Sequence, residues 1–307
     1  MKNKILPALA LSLIMATPAL AQTSGLTAHE WGLWHLSGNL AETMPQVQET
    51  LPPHVNNTLI TIDDFGWPSF GNRPDGMIVR KPVVWFYGAE GTALTYKVNL
   101  SGNSRIIANF PSLDGSLGEP GTAVWNLTLG EKDFAEPEQE KGMSPWYGKL
   151  YLPEANSVSF KERNETEGFL FYEASVLHEL PISRNESGVT LDEDMPLVVS
   201  ILNMPGQGVS VQFNHNVAKG DYPFPQDMGK TDIESATATL SKALEDMGLF
   251  KAEAEAFTSV WQPELFELGG RVLVILPQET YNRLLPATIT PKPERFIRIG
   301  AIMTEVP

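Results

Sequence analysis

The chain has 307 residues, no cysteine and a formal net charge of −15. Without cysteine there can be no disulfide, thiolate nucleophile or zinc–thiolate site. The acidity opposes nucleic acid, whose phosphates call for a basic surface, and anionic membrane surfaces.

The N-terminus reads Met1-Lys2-Asn3-Lys4, then an apolar run from Ile5 to Met15, then Ala19-Leu20-Ala21. A positive start, a short apolar core and a small-x-small site have the form of an export signal, with cleavage expected between Ala21 and Gln22. The apolar core, about 11 residues long, falls short of the roughly 20 that span a bilayer. No later stretch is apolar enough to cross one, and no cysteine follows for lipid attachment. Residues 1–21 are therefore expected to be a signal peptide and the remainder to be periplasmic or secreted. Loss of Lys2 and Lys4 takes the charge to about −17.

Strand signals follow in series. Leu94, Tyr96, Val98 and Leu100 alternate with Thr95, Lys97 and Asn99, the period of a half-buried strand. Ala123, Trp125, Leu127 and Leu129 repeat the pattern, as do Val209, Val211, Phe213, His215 and Val217. Val83–Tyr87, Phe169–Tyr172 and Leu197–Leu202 are continuously apolar, as strands buried on both faces are. Turn chemistry separates them, for example Asp63-Asp64-Phe65-Gly66-Trp67-Pro68 and Asn72-Arg73-Pro74-Asp75-Gly76. The texture changes near residue 230. Thr231-Asp232-Ile233-Glu234 has the form of a capping box, and Leu240, Leu244 and Met247 follow at helical spacing before Gly248. A second helix is expected over about 250–260, a strand over 271–276, a short helix over 278–285 and a last strand over 295–306. The fold class expected is β-rich, with a β-sandwich-like antiparallel core over residues 22–220 and an α+β segment over 221–307 packed onto it as one unit.

Four stretches together carry a resemblance: His29-Glu30-Trp31-Gly32, Pro82–Tyr87, Gly168–Glu173, and a tail containing Trp261–Phe266, Arg271–Pro277 and Leu284-Leu285-Pro286. In these the chain resembles a family of exported bacterial proteins that begin with a His-Glu-Trp-Gly motif. The resemblance spans most of the chain and implies one co-folding unit. It assigns no catalytic residue. Leu33 and Trp34 stand where the family pattern has Thr and Phe.

Five histidines are candidates for chemistry: His29, His35, His54, His178 and His215. On a straight strand His29 and His35 share a face but lie roughly 20 Å apart, so they cannot share an ion. His29 and Glu30 point to opposite faces unless Gly32 bends the strand. No HExxH motif, nucleophile elbow or calcium-loop spacing occurs, and Gly229-Lys230-Thr231 lacks the preceding glycine of a phosphate loop. No metal site or cofactor is expected. Glu173 shares a face with Phe169 and Phe171, where a carboxylate would be desolvated and suited to act as a general acid. The catalytic candidates are therefore His29, Glu30 and Glu173. Trp67, Trp146 and Tyr147 sit in turn-rich segments and are the ligand-binding candidates, since flat rings on a β scaffold stack on sugars of an envelope polysaccharide. Two functions compete: an envelope-associated binding or structural protein, and a hydrolase, with or without a metal, acting on an envelope or extracellular polymer. Convergence of His29, Glu30 and Glu173 in an open cleft would favour the hydrolase.

Overall fold

In the computed structural model, which describes residues 23–36, 77–102, 104–114, 121–136, 146–176 and 178–306, the strand patterns become three sheets. The leader, His54 and Trp67 lie outside the described residues. In chain order the strands are β1 (Thr23–His35), β2 (Met77–Tyr87), β3 (Ala93–Asn99), β4 (Arg105–Phe110), β5 (Thr122–Leu129), β6 (Val158–Phe160), β7 (Glu165–Glu167), β8 (Leu170–Val176), β9 (Ile182–Asn185), β10 (Gly188–Leu191), β11 (Met195–Met204), β12 (Gly208–Val217), β13 (Gly220–Pro223) and β14 (Lys230–Thr231). Helices α1 (Ile233–Asp246) and α2 (Lys251–Leu265), strand β15 (Gly269–Ile275), helix α3 (Gln278–Leu284), and strands β16 (Ala287–Thr290) and β17 (Pro293–Val306) complete the chain.

The strand-rich class and the helical C-terminal segment followed by strands are as the sequence leads one to expect. The large sheet runs β14-β12-β11-β15-β17-β1-β2-β8-β4, and a second runs β16-β3-β5-β6-β7. A small third sheet runs β13-β10-β9. The two larger sheets face each other across a core that includes Trp34, Phe86, Tyr96, Trp125 and Tyr172. On its other face the large sheet is covered by α1 and α2, with Trp31, Trp85, Phe169, Leu240, Phe257 and Trp261 between. Pairing is antiparallel throughout except for β1 and β17, which run parallel. The last strand thus lies beside the first, in the middle of the sheet.

Burial follows sequence pattern. In β3 every second residue is buried, and in β8 all seven are. Buried strands on both faces explain the unbroken apolar runs of β8 and β11. β2 gains one residue against both neighbours between Val79 and Val83. Pro82, which has no N–H to offer a ladder, stands at that bulge. One cap differs from the sequence expectation. Asp232, not Thr231, caps α1, accepting from the Ser235 N–H at 2.7 Å, while Thr231 belongs to β14. Gly248 ends this helix with φ +112°, where a side chain would be strained.

Candidate functional site

The His-Glu-Trp-Gly segment occupies the centre of β1, and its faces alternate without a break. His29, Trp31 and Leu33 meet the helix side, while Ala28, Glu30 and Trp34 meet the second sheet. Gly32 does not bend the strand. It permits a close approach: a Cβ there would lie 3.0 Å from Tyr281 Oη and 3.2 Å from Pro82 Cγ. His29 and Glu30 therefore sit in two separate networks, one on each face of the sheet.

Glu30 is fully buried. Its Oε1 accepts from Arg298 Nη2 at 2.8 Å, from Tyr172 Oη at 2.8 Å and from Tyr281 Oη at 2.8 Å. Its Oε2 accepts from Arg298 Nε at 2.9 Å and from Tyr96 Oη at 2.7 Å. Five donors thus surround one carboxylate, two of them the parallel N–H groups of a bidentate guanidinium. Arg298 is held in turn by Asn282 Oδ1 and the Leu285 carbonyl, and lies 4.4 Å from the centre of the Tyr281 ring. Burial, and then the Glu30 charge, push the three phenols well above their ordinary value. Burial works against the charge of Arg298, but Glu30 and the phenols more than offset it and hold its pKa raised. The three phenols and the guanidinium thereby hold their protons, which suits a structural clamp.

On the opposite face His29 Nδ1 lies 2.7 Å from Glu253 Oε2. The carboxylate can only accept, so Nδ1 carries the hydrogen. Glu253 also accepts from Tyr87 Oη at 2.6 Å and from the Phe250 N–H at 2.7 Å. The last bond is the backward reach of a Glu at the third position of a helix, here α2, to the backbone at its start. Burial, then Glu253, raise the Tyr87 phenol far above its usual range. His29 packs on the Phe250 and Tyr87 rings at 4.6 and 5.5 Å, and is 1 % exposed. The network docks the start of α2 onto β1.

Glu173 is fully buried on β8. β2 separates β8 from β1, so Glu173 stands two strand spacings, about 10 Å, from the line of His29. Its neighbour Tyr172, not Glu173, reaches Glu30. The three catalytic candidates do not converge. Tyr147 opens a short 3-10 turn and is 1 % exposed, packed on Phe110, Phe169 and Tyr151. Trp146 is half-buried against Phe171. Both rings point inward as plugs of the helix-side core. His215 is exposed near the end of β12, and His178 Nε2 lies 3.1 Å from Ser101 Oγ. Among the described residues no group of three or more His, Asp or Glu could hold a metal ion, and no helix is long and apolar enough to cross a membrane.

Sequence reasoning did not identify Arg298, Tyr96, Tyr172, Tyr281, Tyr87 or Glu253. One signal pointed to Arg298: a cation flanked by Ile297 and Ile299 at the start of the apolar run to Met303 calls for a buried counter-charge. Comparison with protein-family models, characterised proteins and solved structures returns no match to this chain.

Proposed function

We propose that this chain is an exported, envelope-located protein that works by binding and not by catalysis, and that it belongs with the exported His-Glu-Trp-Gly proteins it resembles. The observation that carries this is the position of His29 and Glu30. They lie on opposite faces of one strand, buried to 1 % and 0 % exposure, with each engaged by residues from distant parts of the chain. A hydrolase built on either would need its reacting atom within reach of a substrate and a water. Here the same atoms tie the first strand to α2, α3 and β17. The motif is a device of the fold that seats β1 between β2 and β17. Export is supported by the leader alone. The acidic charge suits a soluble envelope protein.

The test is co-sedimentation of the purified protein with insoluble cell-wall polysaccharide, with release of reducing ends followed in the same tubes. Retention without release is the expected result. Release that is abolished by His29→Gln at an unchanged melting temperature would establish the hydrolase instead.

A further inference from the structure

We infer that the outer face of the five-stranded sheet carries a binding site for an uncharged oligosaccharide, formed by a polar ladder across β16, β3, β5, β6 and β7. This rests on the binding function proposed above and names its ligand class and location.

The ladder follows from strand register. Thr290 of β16 pairs with Thr95 of β3, and Thr95 pairs with Asn126 of β5. Two residues along β5, Thr128 pairs with Ser159 of β6, and Ser159 pairs with Thr166 of β7. Strands alternate faces, so the inward neighbours Leu94, Tyr96, Trp125, Leu127 and Val158 build the core while these six polar residues share the outer face. Neighbouring rungs are set by the strand spacing of about 4.8 Å, close to the separation of hydroxyl groups across a sugar ring. Threonine on a solvated strand face is ordinary in itself. What distinguishes this face is a cleft of about 420 Å3 over five of the six, all but Thr166, within the size range of ligand sites.

One wall of the cleft is fixed in advance. The β6–β7 turn carries Arg163, whose guanidinium lies 4.3 Å from the centre of the Phe160 ring. Arg163 Nη1 donates to Asp114 Oδ1, and its Nε donates to Glu165 Oε2 at 2.8 Å. Asp114 also accepts from the backbone N–H of Asn126, which joins this wall to the ladder. On the floor Thr95 donates to Asn126 Oδ1 at 2.7 Å, which orients the amide and leaves its Nδ2 without a partner among the described residues. A preformed site loses less freedom on binding than one that must be ordered.

Charge selects the ligand class. Arg163 is matched by two carboxylates, and the exposed Lys161 and Glu162 at the rim are of opposite sign. The charged residues that line the cleft, Asp114, Glu162, Lys161 and Arg163, sum to no net charge, so neither an anion nor a cation is favoured overall. The remaining groups are hydroxyls and an amide, donors and acceptors alike, which suit a polyol.

Calorimetric titration of the purified protein with maltohexaose, cellohexaose, N-acetylchitohexaose and trigalacturonate tests this. Saturable binding of at least one of the three neutral hexasaccharides is expected, with no binding of the acidic trimer. Asn126→Ala and Thr128→Val, both on the solvated face, should each weaken that binding by about tenfold, the effect of one lost hydrogen bond, at an unchanged melting temperature. Failure of all three neutral hexasaccharides to bind, preference for trigalacturonate, or unaltered affinity in both variants would overturn the site. Unaltered retention of both variants on insoluble cell-wall polysaccharide would refute this site while leaving the binding function standing. Loss of retention by the wild-type protein would count against that function itself.

Discussion

Glu30 on β1 and Arg298 on β17 face each other in register across the parallel ladder, 268 residues apart, and form a bidentate ion pair that solvent does not reach. Around them Tyr96 comes from the second sheet, Tyr172 from β8 and Tyr281 from α3. One carboxylate thus reads out whether both sheets and a C-terminal helix are in place. Such a cluster confers little net stability over an apolar core of the same shape, but breaking it from one side is severe.

The His29–Glu253 bond should be structural as well. His29→Ala leaves a buried carboxylate oxygen short of a donor and is expected to destabilise the protein by about 1–3 kcal/mol. Tyr87→Phe acts on the same carboxylate. A double-mutant cycle of the two, read by urea unfolding, should give a coupling of about 0.5–3 kcal/mol. Strict additivity would mean that the two bonds do not share one element.

Gly300 and Gly32 face each other across β1 and β17, beneath the Tyr281 ring. A Cβ on Gly300 would fall 2.4 Å from Tyr281 Cδ2 and 3.0 Å from Trp34 Cζ3, whereas on Gly32 its nearest neighbour is 3.0 Å away. Gly300→Ala is therefore expected to destabilise by about 1–3 kcal/mol, as overpacking does, and by more than Gly32→Ala. Thermal unfolding of the pair checks the order; the reverse order would contradict the packing.

The C-terminal segment should be indispensable to the fold. β15 and β17 lie between β11 and β1, so a chain ended at residue 225 lacks the middle of its large sheet. Circular dichroism of that fragment should show no cooperative transition. A wild-type transition would mean that the N-terminal strands close a core alone.

His35 supplies a pH dependence. Burial lowers its imidazole below the ordinary 6.5; Glu264 opposes this and Arg80 assists it. A folded-state pKa below the unfolded one means that the unfolded chain binds the proton more readily. The stability associated with neutral His35 is present above 6.5 and is lost as pH falls from there toward the depressed value. Unfolding free energies across that window should decline more steeply in wild type than in His35→Gln. Parallel curves would contradict the assignment.

Much of this architecture was legible because it is written locally. The alternation at 94–100 and 209–217, the apolar runs of β8 and β11 and the stop at Gly248 each follow from neighbouring residues. The networks were not legible, because their partners are 224 residues away for His29 and 268 for Glu30. Only the parallel pairing of first and last strands brings Arg298 to Glu30, and no local pattern encodes that topology. Trp146 and Tyr147 show a related limit: turn-rich surroundings indicate a connection, but the direction of a ring depends on the apolar surface beneath it.

The central claim is that Glu30 holds the fold together and performs no chemistry. Denaturant unfolding of Glu30→Gln tests it most directly, with a sugar titration of the folded variant alongside. Removing the charge leaves Arg298 buried without its counter-ion, so a loss of about 3–5 kcal/mol is predicted, with oligosaccharide affinity retained wherever the variant is folded. A stability within about 1 kcal/mol of wild type, the range of exposed substitutions, together with loss of a binding or hydrolytic activity, would contradict the account.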